Sequence, residues 1–160
     1  MKKDFTHLDE QGNPRIVKIS DKPVTHRKAV ARAKVDFPDE VWEKLERDHW
    51  TNKKGGIWHT AIIAGIMGAK KTGELIPLCH PIGLDNCQIE LEKTDGQALY
   101  IWSTAEVQAK TGVEMEAMTG ASIAALTIYD MCKGLSHDIR IAEIQLMEKS
   151  GGKRNFKRDE

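Results

Sequence analysis

The residues of this chain best suited to chemistry stand at a few fixed places around one apolar stretch. Asp130 and Lys133 close the run from Ala109 to Lys133, AKTGVEMEAMTGASIAALTIYDMCK, and Glu114 and Glu116 open it. Lys54 belongs to Lys53-Lys54-Gly55-Gly56, His80 lies between Pro77 and Pro81, and Lys149 begins the segment KSGGK. A carboxylate beside a lysine suits proton transfer, because burial and mutual pairing can bring both pKa values towards neutrality. Lys54, Lys133, Lys149 and His80 against Glu116 and Asp130 make a local excess of positive charge, which suits a polyphosphate. Residue types therefore point to an anionic, phosphorylated ligand.

Each of these residues also has a plainer reading. Asp130 and Lys133 are spaced i, i+3, as in a surface ion pair on a helix. Against that, a carboxylate in the last helical turn faces the negative end of the macrodipole, so helix stability alone does not favour Asp130. Glu114 stands three residues after Thr111, the spacing of a capping box, which by itself accounts for it. Lys53 and Lys54 could be a solvated pair, or, with two glycines at a helix start, an anion site. A lone histidine is more often structural, but prolines on both sides fix the backbone around Cys79 and His80 and make His80 a candidate ligand contact. Zinc fits poorly, since Cys79 and His80 are adjacent and no second pair completes a site.

The element that must carry most of these groups is a helix of about twenty residues. From Val113 on, Ala117, Gly120, Ala121, Ala124 and Ala125 alternate with Met118, Ile123, Leu126 and Ile128, a composition that predicts burial nearly all round. Capping at Thr111 starts it and Gly134 stops it. Upstream, RIVKI at 15–19 reads as a short arm strand, and Lys28 to Phe37 alternates as a half-buried strand. Pro38-Asp39-Glu40 opens a short helix, and a second helix runs from about Ile57 to Lys71. Leu75 to Leu84, with two prolines, reads as an ordered, buried connection. Cys87–Glu92 and Leu99–Val107 form a hairpin around Thr94-Asp95-Gly96, and Ile139–Leu146 is the last strand. The order predicts an α+β, ferredoxin-like βαββαβ fold, with an antiparallel sheet, helices on one face, the arm strand and one short extra helix.

Composition sets outer bounds. The 160 residues, 40% of them hydrophobic, suit a single domain over 1–160 with flexible ends at 1–14 and 150–160. Lysine plus arginine equals aspartate plus glutamate at 24 each, so there is no global basic field to attract nucleic acid. No apolar run has the length of a membrane span and the N-terminus lacks a signal-peptide core, so the expected compartment is the cytoplasm. Cys79, Cys87 and Cys132 are odd in number and fit reduced core thiols.

KTGVEMEAMTGASIAALTIYDMCK, IPLCHP at 76–81 and KSGGK at 149–153 resemble the molybdenum cofactor biosynthesis protein C family, the cyclic pyranopterin monophosphate synthases. The likeness extends from THLDEQGNPRIVKIS through nearly the whole chain. It implies conversion of 3′,8-cyclo-7,8-dihydroguanosine triphosphate to cyclic pyranopterin monophosphate with release of diphosphate, on the route to molybdopterin. By motif it implies Asp130, Lys133 and Lys54 as the acid-base set. Leu78, Cys79, His80, Met115, Glu116 and Glu114 become substrate-binding positions, Lys149 a phosphate or catalytic lysine, and Arg27 a supporting basic residue. It further implies no required cofactor, with the presence of a divalent metal on the triphosphate left open, and a homohexamer built as a trimer of dimers with the site at the dimer interface. Lys54 and Lys149 are then expected near the Asp130 end of the helix, within one chain or across a subunit boundary. Departures are few: Ala109, Gly120, the SGGKRNF tail and Lys18 stand where glycine, alanine, SGGKSGDF and aspartate are common.

Two readings of another class remain. An RNA-recognition domain shares the βαββαβ order, and Tyr100 and Trp102 on one side of a strand could be stacking platforms, although the sequence motif of that family is missing. A small-molecule sensor of the same fold would bind without chemistry.

Overall fold

The computed structural model describes residues 7–159; the first six residues of the expected arm, and residue 160, lie outside it. Four long strands make the sheet: β1 (Thr25–Asp36) and, further along the chain, a hairpin and a closing strand. Between β1 and that hairpin come α1 (Asp39–Arg47), a minimal hairpin β2 (Thr51–Asn52) and β3 (Gly55–Gly56), α2 (Ile57–Lys70) and the single turn α3 (Thr72–Leu75). The hairpin is β4 (Asn86–Lys93) with β5 (Ala98–Ala109); it is followed by α4 (Glu114–Cys132), β6 (Arg140–Ser150) and the short β7 (Phe156–Lys157). Spatial order is β4-β5-β1-β6-β7, antiparallel throughout, which is the expected ferredoxin-like arrangement.

Why the layers close so tightly is written in side-chain size. β1 turns Ala29, Ala31, Ala33 and Val35 inward, and α4 answers with Ala117, Ala121, Ala124, Ala125 and Ile128, all buried. Alanines on both sides let the helix lie close to the sheet, and Leu99, Ile101 and Ile57 fill what remains. α2 crosses α4 where Gly65 meets Gly120: a Cβ on Gly65 would come within 2.9 Å of the Gly120 carbonyl oxygen. At the far end of β1, Phe37, Trp42, Trp50 and Trp58 pack edge to face. The turn that delivers Trp50 there uses two left-handed residues, His49 at φ 49° and Trp50 at φ 53°.

Several expectations need correction. Arg15–Ile19 is irregular chain and not an arm strand. Its Ile16 is exposed, and Lys110 holds the Ser20 carbonyl where a ladder partner would be needed. The connection after α3 is half-buried, with Leu75, Pro77 and Pro81 exposed, because its prolines point outward while Leu78, Cys79 and His80 turn in. α4 is not buried all round, since Leu126 is 55% and Met115 37% exposed. Finally, the capping box does not form. The helix begins at Glu114 with Val113 as N-cap and no side-chain cap, leaving Thr111 in the preceding turn and the Glu114 carboxylate free for another partner. Beyond β6 the chain carries β7, which pairs Lys149 with Phe156 and Glu148 with Lys157.

Candidate active site

At the C-terminal end of α4, Asp130 sits between two ammonium groups. Its Oδ1 lies 2.7 Å from Lys133 Nζ and its Oδ2 3.2 Å from Lys54 Nζ, so Lys54, distant in sequence, meets the Asp130–Lys133 pair as expected. Lys133 follows one turn later on the helix, whereas Lys54 arrives on the β2–β3 hairpin immediately before α2. All three side chains are about half exposed. Lys133 and then Lys54 hold the Asp130 carboxyl below its ordinary range, and Asp130 in return raises Lys133. Pairing thus moves the Asp130 carboxyl and the Lys133 ammonium away from neutrality and not towards it, contrary to the expectation from sequence, and the set is a hydrated anion flanked by two ammonium groups.

A second cluster occupies the N-terminal end. Lys149 Nζ lies 2.9 Å from Glu114 Oε1, linking β6 to the first turn of the helix. Gly112 is required here because the Glu114 carboxylate folds back over the space that a Cβ at 112 would fill. Arg27, Lys28, Lys110, Lys149, Lys153 and Arg154 line a cavity of about 230 Å³ in which Glu114 is the one acid. The tail reaches it because Gly151, at φ 83°, passes against the His26 carbonyl with no room for a side chain. A neighbouring cavity of about 210 Å³ shares Thr111, Gly112 and Glu114 and is walled by Leu78, Cys79, His80, Met115 and Glu116. Glu116 is 3% exposed, and burial, with the Glu114 charge behind it, pushes its carboxyl up to about 7. Burial likewise raises the Cys79 thiol, with Glu116 contributing, and takes Cys132 to about 11, so neither is a ready thiolate.

Every expected site residue therefore lies in one of two groups, and within one chain the groups stay apart. Lys149 does not join Asp130: sixteen residues of α4 separate Glu114 from Asp130, about 24 Å at the helical rise. Lys28 and Lys110 were not singled out from sequence. Lys28 looks like an ordinary outward residue of an alternating strand until register places it beside Ser150. Among the described residues no three His, Cys, Asp or Glu side chains converge as metal ligands, and no helix is long and apolar enough to cross a membrane. Tyr100 and Trp102 do not offer open stacking faces: the Arg32 guanidinium lies 4.3 Å and 5.3 Å from their centroids, and Trp102 donates to Glu92.

The model of the MoaC family matches residues 16–152, a span that includes Lys54, Asp130 and Lys133 and, of the other cluster, Arg27, Glu114, Glu116 and Lys149. The chain belongs to the MoaC family. It is 51% identical over 152 residues to the cyclic pyranopterin monophosphate synthase of Xanthomonas campestris pv. campestris, covering 95% of this chain and 92% of that one. Identity to the protein of the same name from Lysinibacillus sphaericus is 49% over 152 residues, covering 93% and 94%. A fly protein, molybdenum cofactor biosynthesis protein 1 of Drosophila melanogaster, is 49% identical over 160 residues, which are 98% of this chain and 27% of its own length. In MoaC terms, the two ends of α4 carry the family's motifs: YDMCK at one, TGVEME with LCHP and KSGGK at the other.

Proposed function

We propose that this chain performs the cyclic pyranopterin monophosphate synthase reaction, converting 3′,8-cyclo-7,8-dihydroguanosine triphosphate to cyclic pyranopterin monophosphate and diphosphate. The observation that carries this beyond family membership is the pairing of a proton-transfer set, Lys54–Asp130–Lys133, with a cavity whose lining has seven lysines and arginines against one acid. Rearrangement needs protons moved to and from ring and ribose atoms, and an ammonium on either side of one carboxylate can supply and collect them. A ribose-derived hydroxyl then attacks the α-phosphorus and loses its proton to this set; the new P–O bond forms as the bond to the β-phosphate oxygen breaks, and diphosphate leaves. Arg27, Lys149 and their neighbours neutralise the triphosphate and the departing diphosphate. Glu116, titrating near neutrality, and His80 face the bound nucleus with Leu78, Cys79 and Met115. The chain contributes no resident metal in this reading, and a divalent cation enters only with the triphosphate.

Two clusters about 24 Å apart cannot act on one reacting centre, so the site is shared between copies. Met115, Ser122, Leu126 and Lys133 fall on one line of α4 and join the clusters along its outer surface. Beside it, α2 exposes Ile63 at 58% and Met67 at 54%. A two-fold axis that laid this surface against itself would cover the apolar side chains and bring the Asp130 end of one chain to the Glu114 end of its partner. The family likeness extends the assembly to a homohexamer, a trimer of dimers, in the cytoplasm. Incubation with the cyclised nucleotide and assay of released diphosphate tests the activity. Turnover is expected, and binding without diphosphate release would leave a sensor.

A further inference from the structure

We propose that Asn52 is a positioning residue for the reaction: its carboxamide clamps the lysine-bearing hairpin to the last turn of α4 and so sets Lys54 against Asp130. The inference rests on the acid-base reading of Lys54 given above.

The last turn of a helix leaves its carbonyls without intrahelical donors. In α4 the Tyr129 carbonyl accepts from the Lys133 N–H and the Cys132 carbonyl from that of Leu135. Met131, next to Asp130, has its carbonyl met by Asn52 Nδ2 at 2.8 Å. On the same carboxamide, Oδ1 accepts the Lys54 backbone N–H at 2.7 Å, an Asx turn that closes the two-residue bend Lys53-Lys54. One planar group thus links the backbone of the lysine to the backbone beside the aspartate. Among the described residues no other hydrogen bond joins this bend to α4 apart from the Lys54–Asp130 pair itself, which is half exposed and weak on its own.

Residue type matters here. The position needs a donor towards Met131 and an acceptor towards Lys54 from one short, rigid side chain, and a carboxamide supplies both. Aspartate would set an anion against the Met131 carbonyl, serine would not span the gap, and alanine would leave both partners to water. Without the clamp, the bend is held only by the two-residue ladder to Gly55 and Gly56, and the long lysine side chain regains freedom to leave Asp130. A displacement of the order of 1 Å is enough to reduce a proton transfer about 10-fold to 10²-fold.

The test is a double-mutant cycle between Asn52→Ala and Lys54→Ala, read on kcat and KM separately. Asn52→Ala alone is expected to lower kcat about 10-fold or more with KM within about twofold. In the Lys54→Ala background it should do nothing further. An equal loss in both backgrounds, or no loss in the parent, overturns the proposal. Normal turnover by Lys54→Ala itself would instead strike the acid-base reading. Where Lys54→Ala falls below detection, the same cycle is read without activity, by following the Asp130 carboxyl carbon by NMR through an acid titration. Asn52→Ala should move that titration upward when Lys54 is present and leave it unchanged when Lys54 is absent. No movement in either background overturns the clamp.

Discussion

The two ends of α4 hold carboxylates in opposite states, and in each case against the helix dipole. Glu116 stands in the first turn, where the dipole favours an anion, yet its carboxyl is pushed up to about 7. Asp130 stands in the last turn, where an anion is disfavoured, yet its carboxyl is held below its ordinary value. The dipole is worth only about 0.3 to 1 kcal/mol near a surface. Burial of Glu116 outweighs it at one end, and two ammonium groups at hydrogen-bond distance outweigh it at the other. Position on a helix is thus a weak guide to protonation state, while solvation and immediate partners are strong ones. The result is a buried group titrating near neutrality at one end and an ionised group in an open triad at the other.

The largest effect should come from asking whether these ends meet. Lys54→Ala and Lys149→Ala are each expected to reduce turnover by 10²-fold or more, since one removes a proton carrier and the other a phosphate cation. If each site takes Lys54 from one chain and Lys149 from its partner, a mixed dimer of the two variants retains one site with both lysines. Unfolding and refolding an equimolar mixture should therefore restore about a quarter of the parent's turnover, the share expected from random two-fold pairing. A mixture no better than its components would confine each site to one chain.

Asp130→Asn keeps shape and hydrogen-bonding capacity but takes up no proton in the working range. Turnover at saturating substrate should fall roughly 10²-fold, with the thermal midpoint unchanged or slightly lower, because the two ammonium groups that outweigh the helix dipole lose their anionic partner. Near-parental turnover would take Asp130 out of the mechanism and leave Lys54 and Lys133 as candidates. Its stability readout separates this carboxylate from Glu116, whose ionisation is the costly one.

How far the sequence alone could lead differs between the same two ends. YDMCK put Asp130 and Lys133 within one helical turn, and the resemblance named Lys54 as their partner; one hairpin contact completed the triad. Fold order was equally legible, because alternating and apolar-periodic runs in the order βαββαβ leave few topologies. The N-terminal cluster was less so. Thr111 and Glu114 matched a capping box by spacing, but Lys149, 35 residues further on, competes for that carboxylate and holds it at 2.9 Å. Such a competitor is invisible until β6 is placed. Lys28 and Lys110 joined the cation-lined cavity only through strand register, and the burial of Glu116 depended on the LCHP loop covering it. RIVKI was misread because a short apolar alternation says nothing about whether a sheet edge is open to receive it.

Glu116 gives a pH test with a fixed sign. Its folded-state value is about 7 against 4.5 for a free glutamate, so between these limits the folded chain binds more protons than the unfolded one. Stability should therefore fall as pH rises from about 4.5 to 7 and then level off, with an upper bound on the order of 3 kcal/mol for this one group. Glu116→Gln should flatten that limb of a denaturant-midpoint profile and stabilise the chain at pH 8, while lowering turnover. An unchanged profile would mean that Glu116 is solvated in the assembled protein. Asp130→Asn, by contrast, should leave the same limb in place.

The smallest effect should come from the middle of α4, where a change ought to reach neither end. A Cβ at Gly65 would sit 2.9 Å from the Gly120 carbonyl oxygen, 3.0 Å from Ile89 Cγ1 and 3.1 Å from the Ala124 methyl. Gly65→Ala gains about 1 kcal/mol of helix propensity, but overpacking against a backbone oxygen costs about 1 to 3 kcal/mol and cannot be relieved by a rotamer change. A net loss of up to about 2 kcal/mol, or up to roughly 6 °C in thermal midpoint for a chain of this size, is expected, with kcat within about twofold of the parent. Gly120→Ala is the milder companion. Its Cβ would meet the Ser103 hydroxyl, a rotatable group that has no hydrogen-bond partner to lose. Equal stability losses from both variants would mean that the α2–α4 crossing relaxes as a whole. A fall in kcat with either would show that the helix transmits a shift of its centre to Asp130 or Glu116, and the two ends would then have to be treated as one coupled element.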